Sequence, residues 1–208
     1  VYLEVMLKRR VYFMAKAERY FTGENVIERN YLENYLLPEK FSDIPEGMVP
    51  MCYPADSWTG NFIPNWAMWL VIELADYQVR TGDMGFIQAF RERVYGILNW
   101  FLQYENDDGL LEKLPGWVFV EWSMSNEFVQ DINFPSNMLY AYMLEKTGEL
   151  YQDQECLVKA ERLKELIRKR SYLGQFFCDN EVLKEGKTEL SGKCTETCQY
   201  YAFFTGVA

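Results

Sequence analysis

The segment "NWAMWLVIELADYQVRTGDM" (residues 65–84) joins a long apolar run to a Thr-Gly-Asp corner. Residues 65–80 are apolar on most faces of a helix, which predicts a helix buried on nearly all sides. Gly82 is typical of a residue that ends a helix in the left-handed conformation. Asp83 suits the positive N-terminal end of a following helix. The segment therefore predicts a buried helix that turns sharply into a second one.

The same corner recurs along the chain. It reads "FTGEN" at 21–25, "KTGEL" at 146–150 and "FTGVA" at 204–208, where Val207 replaces the acid. The spacing of about 60 residues is longer than the 34 residues of tetratricopeptide repeats or the 40–47 of HEAT-type repeats. We therefore predict helical hairpins with corners near residues 22–24, 81–83, 147–149 and 205–206, joined by unusually long connections.

The helices around the corners are of two kinds. Residues 65–80, 137–146 and 198–204 are apolar on most faces, whereas residues 86–104 and 155–170 carry a single apolar stripe. Buried inner helices thus alternate with half-exposed outer helices. The pattern predicts an all-α fold, an α/α toroid (six-hairpin barrel), about half of which is present as one domain over residues 1–208. Both ends of the sequence look cut, so the exposed inner helices are expected to be covered by the rest of the barrel or by another copy.

Three long connections, 38–64, 105–135 and 171–195, are rich in residues that favour turns, and the first two carry tryptophan. Connections of this length in a compact domain are usually functional, so we predict a site on the rim that they form, with room for short β-ribbons. The stretch "GWVFVEWS" (116–123) has two interpretations. It is either a β-ribbon with alternating faces or a pocket wall, because a carboxylate among large rings is costly unless it is paired or functional.

Composition excludes several classes of function. The net charge of −10 and the lack of a long basic run argue against nucleic acid and anionic membranes as partners. No apolar run approaches the length of a membrane span. The chain has no histidine, which excludes Ser-His and Cys-His nucleophile pairs and weakens zinc and iron sites. We expect no metal and no cofactor.

Two residue types give positive indications. Aromatic residues make up 17% of the chain, and together with carboxylates and amides they suit carbohydrate recognition, although an aromatic-rich core explains them equally well. The five cysteines show no C-x-x-C spacing. Their odd count and scattered positions predict reduced, mostly buried thiols rather than a disulfide framework.

Five stretches together resemble the catalytic six-hairpin barrel of bacterial α-L-rhamnosidases, glycoside hydrolase family 78. They are "AERYFTGENVIERNYLENYLLP" (17–38), "IPEGMVPMCYPADSWTGNFIPNWAMWL" (44–70), "YENDDGLLEKLPGWVFVEWS" (104–123), "DINFPSNMLYAYML" (131–144) and "TETCQYYAFFTGVA" (195–208). The resemblance implies an inverting, metal-free hydrolase of terminal α-L-rhamnose on glycosides or polysaccharides, located in the bacterial cytoplasm or periplasm. Two alternatives remain: a hydrolase of another sugar on the same fold, and a non-catalytic carbohydrate-binding or scaffold toroid.

The chain departs from the family where the general acid is normally found. In place of a D-C-P-x-R-[DE]-x-x-x-W-x-x-D stretch it reads "VYLEVMLKRR" (1–10), in which Glu4 is the only carboxylate. The general base of the family usually lies beyond the helix that residues 198–204 resemble. The resemblance therefore implies that both principal catalytic carboxylates lie outside the residues shown, and that the isolated segment is inactive.

The loop "ADSWTGNFIPNW" (55–66) supplies one group of candidate site residues. By resemblance, Trp58 stacks on a sugar, Asp56 and Asn61 bind its hydroxyls, and Trp66 lies near the mouth of the site. The alternative is a loop that simply leads into a helix, with Asn61 or Asn65 as the cap and Pro64 early in the helix.

The later connections supply the remaining candidates. Glu121 takes the place of an aspartate in the family's Gly-Asp-Trp stretch, where it would contact the sugar or orient water, between Trp117 and Trp122 as stacking platforms. Asn133 is a sugar contact or a helix cap. Glu196 is either a site residue or a carboxylate favoured by the dipole of the following helix.

Overall fold

The computed structural model describes residues 7–51 and 62–208, with side chains from Tyr12 onward. The candidate residues Asp56, Trp58 and Asn61 lie outside the described residues. The chain divides into two units, Val1–Trp100 and Phe101–Ala208. The single domain over residues 1–208 stays a prediction.

The first unit is helical in its described part. Its helices are α1 (Leu7–Thr22), α2 (Val26–Asn34), α3 (Pro64–Thr81), α4 (Met84–Ala89) and α5 (Arg91–Leu102), the last of which runs across the boundary into the second unit. The predicted inner helix is confirmed as α3, most of whose residues are buried. Pro64 is its first residue, where a missing N–H costs nothing. The suggestion that Asn65 caps this helix is wrong, because the cap position is Ile63 and Asn65 is buried inside the helix.

Two corners of the first unit have the predicted backbone. Gly23 follows α1 with φ +75°, and Gly82 follows α3 with φ +69°. Asp83 caps α4 by accepting a hydrogen bond from the Phe86 N–H. The predicted outer helix over residues 86–104 is divided into α4 and α5 at Phe90. Its apolar stripe is confirmed as buried: Phe86, Phe90, Val94, Ile97, Leu98 and Phe101.

The second unit combines three α-helices and a short 3-10 helix with a small sheet. Its elements are a 3-10 helix (Met124–Glu127), β1 (Ile132–Asn133), α6 (Phe134–Tyr151), α7 (Gln154–Ser171), β2 (Asn180–Lys184), β3 (Lys187–Leu190) and α8 (Glu196–Phe204). The sheet is antiparallel in the order β1-β2-β3. It joins the predicted connections 105–135 and 171–195, so the expected short β-ribbon is confirmed there. The helix-rich fold class is likewise confirmed.

The helices of the second unit differ in burial. α6 is buried on most faces, as predicted for an inner helix, and α7 buries one stripe that includes Leu163 and Ile167. α8 buries Cys198, Tyr201 and Ala202, but Tyr200 and Phe203 are exposed. Within the second unit, therefore, α8 is only partly covered.

Gly148 does not end a helix, contrary to the prediction. α6 continues through it to Tyr151, and Gln152 adopts the left-handed conformation instead, with φ +56°. Gly148 serves close packing. A Cβ on it would lie 2.6 Å from Leu157 Cγ on α7 and 2.9 Å from the Asp153 carbonyl oxygen. The corner therefore falls four residues later than the sequence indicates, because the glycine is needed for helix contact rather than for the turn.

Gly148→Ala is expected to destabilise the protein by about 1–3 kcal/mol, because the added methyl group overpacks the α6–α7 contact. This loss opposes the gain of up to about 1 kcal/mol that alanine normally brings within a helix. Urea unfolding measures the difference. Gly85→Ala in α4 is the matched control, since its Cβ would meet only Asp83 Oδ1 at an ordinary 3.7 Å. Equal stability of the two variants would contradict the packing role of Gly148.

Candidate functional site

The stretch 116–123 has no strand pairing. The structure describes all eight residues and assigns none of them to a strand. Val118, Phe119 and Val120 are buried in succession, so the β-ribbon with alternating faces is wrong for this stretch. Val120 anchors the segment, because its N–H donates to Asn126 Oδ1 (2.9 Å) and its carbonyl accepts from the Tyr201 hydroxyl (3.2 Å). Tertiary contacts, rather than a ladder, satisfy this backbone.

Three aromatic rings of this segment form a cluster that we call the tryptophan rim: Trp117, Phe119 and Trp122. Phe119 packs edge-on against both tryptophans, with centroid distances of 5.5 Å to Trp117 and 4.9 Å to Trp122. The tryptophans are 6.0 Å apart at an interplanar angle of 72°. Phe119 is buried, whereas Trp117 is 39% and Trp122 59% exposed. The rim therefore presents two exposed indoles on a buried phenylalanine base.

Glu121 lies between these rings in sequence and is half-buried. Its Oε1 accepts a hydrogen bond from the Trp122 N–H (2.8 Å), and its carbonyl accepts from the Ser123 N–H (2.8 Å). The carboxylate is thus held against the backbone of the more exposed tryptophan. Hydrogen bonds from N–H groups to a carboxylate are among the stronger ones in proteins. This arrangement fixes a negative group beside an exposed ring.

The first turn of α8 lies next to the tryptophan rim. The Ser123 hydroxyl is 3.0 Å from Thr197 Oγ1 and 2.8 Å from Ser125 Oγ. Glu196 precedes Thr197 in the first turn of α8 and is exposed. At this position the Glu196 carboxylate is favoured by the dipole of α8. The same turn of α8 also contacts the segment that carries Glu121. The hydroxyl cluster has no periodic signature, and for that reason the sequence did not reveal it.

Asn133 has its polar atoms engaged within the protein. Its Oδ1 accepts from the Ser136 N–H (2.9 Å) and hydroxyl (2.6 Å), and its Nδ2 donates to the Phe128 carbonyl (2.8 Å). The residue is buried and is the N-cap of α6. Capping, the alternative given for Asn133, accounts for the bond from the Ser136 N–H, and the other two bonds engage the rest of the amide group. We therefore leave Asn133 out of the sugar contacts that we propose.

Trp66 occupies the first unit and is buried in the first turn of α3. Its burial is as complete as that of Trp69, which follows it by three residues in the same helix. As packed, it offers no exposed ring face for stacking. It is therefore also left out of the sugar contacts that we propose.

Asp179 organises the second unit and was missed by the sequence analysis. It is fully buried, and its carboxylate accepts hydrogen bonds from the N–H and the hydroxyl of Thr195, both at 2.6 Å. Burial raises the pKa of Asp179, and the two bonds from Thr195 oppose that shift. Its backbone carbonyl also accepts from the Phe134 N–H at the start of α6 (2.8 Å). Asp179 thus ties together the starts of α6 and α8.

Neither of two larger cavities is lined by residues of the tryptophan rim. In the first unit, a cavity of about 1010 Å³ lies between residues 36–48 and the helices α4 and α5. In the second unit, an open groove of about 560 Å³ runs along α7 beside Glu105 and Lys159. The predicted site residues within the described part of the chain line neither of them.

Among the described residues, no group of three or more histidine, cysteine, aspartate or glutamate side chains is placed to hold a metal ion. Within the same residues, none of the helices has the combination of length and apolar character that a bilayer crossing requires.

Comparison with known sequences gives no assignment. No protein-family model matches the chain, and no curated protein matches it significantly.

Comparison with solved structures gives clear matches. The chain is similar to the GH78 family rhamnosidase of Bacillus sp. GL1, with a TM-score of 0.76 and 19% identity over 99% of this chain and 21% of that one. It is also similar to a rhamnosidase from Klebsiella oxytoca with rhamnose bound, with a TM-score of 0.65 and 17% identity over 86% of this chain and 34% of that one. The chain thus spans only a fifth to a third of the length of these proteins. The resemblance stated from the sequence motifs is confirmed at the level of the fold: the chain has the fold of part of the GH78 rhamnosidases.

Proposed function

We propose that the chain is part of a glycoside hydrolase of the α-L-rhamnosidase type and that the tryptophan rim contacts its sugar. The observation that carries this proposal is the pair of exposed indoles beside Glu121, on a chain with the fold of rhamnosidases. Exposed aromatic rings stack on the C–H faces of sugars, while carboxylates bind their hydroxyls. Asp56, Trp58 and Asn61 belong to the proposal through the sequence resemblance alone.

The ring geometry assigns different roles to the two tryptophans. Because their planes are inclined at 72°, one flat sugar ring lies against only one of them. Trp122 is the more exposed of the two and has Glu121 held at its backbone. We therefore assign Trp122 as the stacking platform and Glu121 as the hydroxyl or water ligand. Trp117 contacts the edge of the sugar, and Glu196 is the outlying carboxylate.

Inverting hydrolysis needs an acid and a base about 6.5–9.5 Å apart on opposite faces of the sugar. We propose that neither is Glu121 and that both lie outside residues 1–208. In this proposal Glu121 binds the sugar or orients water, and the segment 1–208 alone does not hydrolyse glycosides.

A non-catalytic carbohydrate-binding protein is the second candidate. The observation that favours it is the sequence "VYLEVMLKRR" (1–10), which departs from the family's acid-bearing stretch. In this alternative the tryptophan rim binds a sugar but no bond is cleaved.

The first test is hydrolysis by the full-length protein. We expect release of nitrophenol from an aryl α-L-rhamnoside, and little from aryl glucosides or mannosides. If the protein cleaved only a different aryl glycoside, it would still be a glycoside hydrolase, but rhamnose would be the wrong substrate. If the protein cleaved none of the aryl glycosides but still bound rhamnose, the non-catalytic alternative would be supported instead.

The second test is rhamnose binding by variants of the rim. Trp122→Ala is expected to weaken binding about tenfold, because a lost aromatic contact is worth roughly 1–1.5 kcal/mol, and Trp117→Ala is expected to weaken it less. Calorimetric titration with L-rhamnose measures both. Phe203→Ala, which removes an exposed aromatic ring farther along α8, is the control and should bind like the parent protein. Equal effects of Phe203→Ala and Trp122→Ala would contradict the assignment of Trp122.

A further inference from the structure

Three cysteines gather where the sheet of the second unit leads into α8. Cys178 precedes β2, Cys194 follows β3, and Cys198 lies in the first turn of α8. All three are free thiols. Cys178 and Cys198 are fully buried, whereas Cys194 is exposed. Solvent therefore reaches the group through Cys194.

Backbone hydrogen bonds place Cys178 opposite Cys194. Beyond the β2–β3 ladder, the Ser191 N–H donates to the Asn180 carbonyl (3.0 Å), and the Asp179 N–H donates to the Lys193 carbonyl (2.7 Å). The ladder register alone would place Cys178 opposite Lys193, but Gly192 has φ +72° and the bond from Asp179 to Lys193 shifts the register by one residue. Cys178 and Cys194 therefore flank this bond in the manner of a non-hydrogen-bonded antiparallel pair. Such pairs have Cα atoms about 4.5 Å apart, which lies within the disulfide range of about 4.4–6.8 Å.

The side chains agree with this pairing. Both thiols lie against residues 191–192, because Cys178 Sγ is 3.4 Å from Ser191 Oγ and Cys194 Sγ donates to the Gly192 carbonyl at 3.9 Å. Burial raises the pKa of the Cys194 thiol, and the neighbouring Cys178 and Asp179 raise it further. The Cys198 thiol is directed elsewhere, because it donates to the Cys178 carbonyl (3.4 Å). Of the three thiols, Cys178 and Cys194 are therefore the pair arranged for bond formation.

We propose that Cys178 and Cys194 are a site of reversible covalent modification and form a disulfide with a small-molecule disulfide, such as oxidised glutathione, as the oxidant. The Cys194 thiolate attacks one glutathione sulfur and releases the other glutathione as a thiolate. The Cys178 thiolate then attacks the Cys194 sulfur and releases the second glutathione. Two protein thiols lose two electrons and two protons, and one glutathione disulfide becomes two glutathione thiols.

The bond would close a loop that contains the β2–β3 hairpin. This loop ends directly before Thr195, the cap of α8, which Asp179 holds. Oxidation therefore links covalently the two chain segments that Asp179 already joins by hydrogen bonds, beside the start of α8. Glutathione in its reduced form would reverse the step by the same exchange.

The test is disulfide mapping of the folded protein after incubation with oxidised glutathione. Remaining thiols are alkylated, and the chain is cleaved after Lys193 and Glu196, which separates Cys194 from Cys198. We expect one cross-linked product that joins the peptides of Cys178 and Cys194. Its formation should accelerate about tenfold between pH 7 and pH 8, because the thiolate is the nucleophile and its fraction rises tenfold per pH unit below the pKa.

Two variants and one condition complete the design. Cys194→Ser changes an exposed residue and should abolish the cross-link, whereas Cys156→Ser on α7 should leave it unchanged. In denaturant the preference for the Cys178–Cys194 pair should disappear. A link between Cys194 and Cys198 would overturn the proposal, and so would a stable glutathione adduct on Cys194. Complete alkylation of Cys178 would also overturn it, because it would show that this thiol had not been oxidised. None of these outcomes depends on whether the protein hydrolyses or binds a sugar.

Discussion

Gly47→Ala is expected to destabilise the first unit by about 3–5 kcal/mol, because it combines backbone strain with a severe overlap. Gly47 has φ +85°, and a Cβ on it would lie 2.4 Å from the carbonyl oxygen of Gly96 in α5. That oxygen belongs to a helix backbone and does not move aside as a flexible side chain would. Urea or thermal unfolding of the variant measures the loss.

Two glycines serve as controls for this substitution. Gly82→Ala has the same kind of backbone, with φ +69°, but its Cβ would meet nothing within 4 Å. It should cost only the conformational part, about 1–2 kcal/mol. A Cβ on Gly96 would lie at an ordinary 3.5 Å from Gly47 Cα. Because residue 96 is within a helix, Gly96→Ala should be neutral or stabilising by up to about 1 kcal/mol. A Gly47→Ala variant no less stable than Gly82→Ala would contradict the close contact between Gly47 and α5.

Arg80→Met is expected to cost about 3–5 kcal/mol, because it leaves a buried carboxylate without its cationic partner. Arg80 in α3 forms an ion pair with Glu28 of α2, whose side chain is fully buried. It also lies 3.5 Å from the Asp76 carboxylate. The double variant Glu28→Met/Arg80→Met removes both charges together and should recover most of the loss. Chemical denaturation of the two variants gives the comparison.

An exposed pair of the same chemistry is the control. Arg29 and Glu33 form an ion pair on α2 with both side chains more than a third exposed. Glu33→Gln should therefore change the free energy of unfolding by no more than about 1 kcal/mol. If Arg80→Met lowered the free energy of unfolding as little as Glu33→Gln, burial would not be what makes the Glu28–Arg80 pair costly to break.

The pH dependence of stability is a second readout for Glu28. Burial raises the pKa of Glu28, and the bonds from Arg80 only partly oppose this shift. The folded protein therefore binds the proton more tightly than the unfolded chain. The stabilising effect of protonation is complete below the unfolded pKa of about 4.3 and is lost as the pH rises through the folded pKa. The stability of the parent protein relative to Glu28→Gln should accordingly fall from pH 4 towards neutral pH, and a rise over that range would contradict the assignment.

The sequence predicted the positions of the helices correctly, but it misplaced the third corner. The fully apolar run 65–80 and the single stripe of 155–170 require different degrees of burial, and α3 and α7 have them. Gly148 sits in the same tripeptide pattern as Gly82, yet one lies within a helix and the other ends one. The difference is that Leu157 and Asp153 approach Gly148 closely. A local pattern cannot distinguish a glycine needed for positive φ from one needed for close packing.

The candidate site was likewise predicted only in part from the sequence. The sequence pointed to the segment 116–123, because a carboxylate between two tryptophans is an unusual combination. It assigned the rings to alternating faces, whereas the structure gathers Trp117, Phe119 and Trp122 into one cluster. The cause is that Val120 bonds to Asn126 and Tyr201 instead of to a neighbouring strand. Without a ladder, the alternation of side chains is not enforced.

The sequence by itself determined the helical class, the two kinds of helix, the hairpin spacing and the resemblance to rhamnosidases. These features depend on local periodicity and on the order of motifs along the chain. Only the tertiary structure decided which glycines pack, how the rim rings are inclined, that Asp179 joins α6 to α8, and that Cys178 faces Cys194. Each of these depends on contacts between residues that are distant in sequence or on the registration of a short sheet. Such contacts leave no periodic trace in the order of residues.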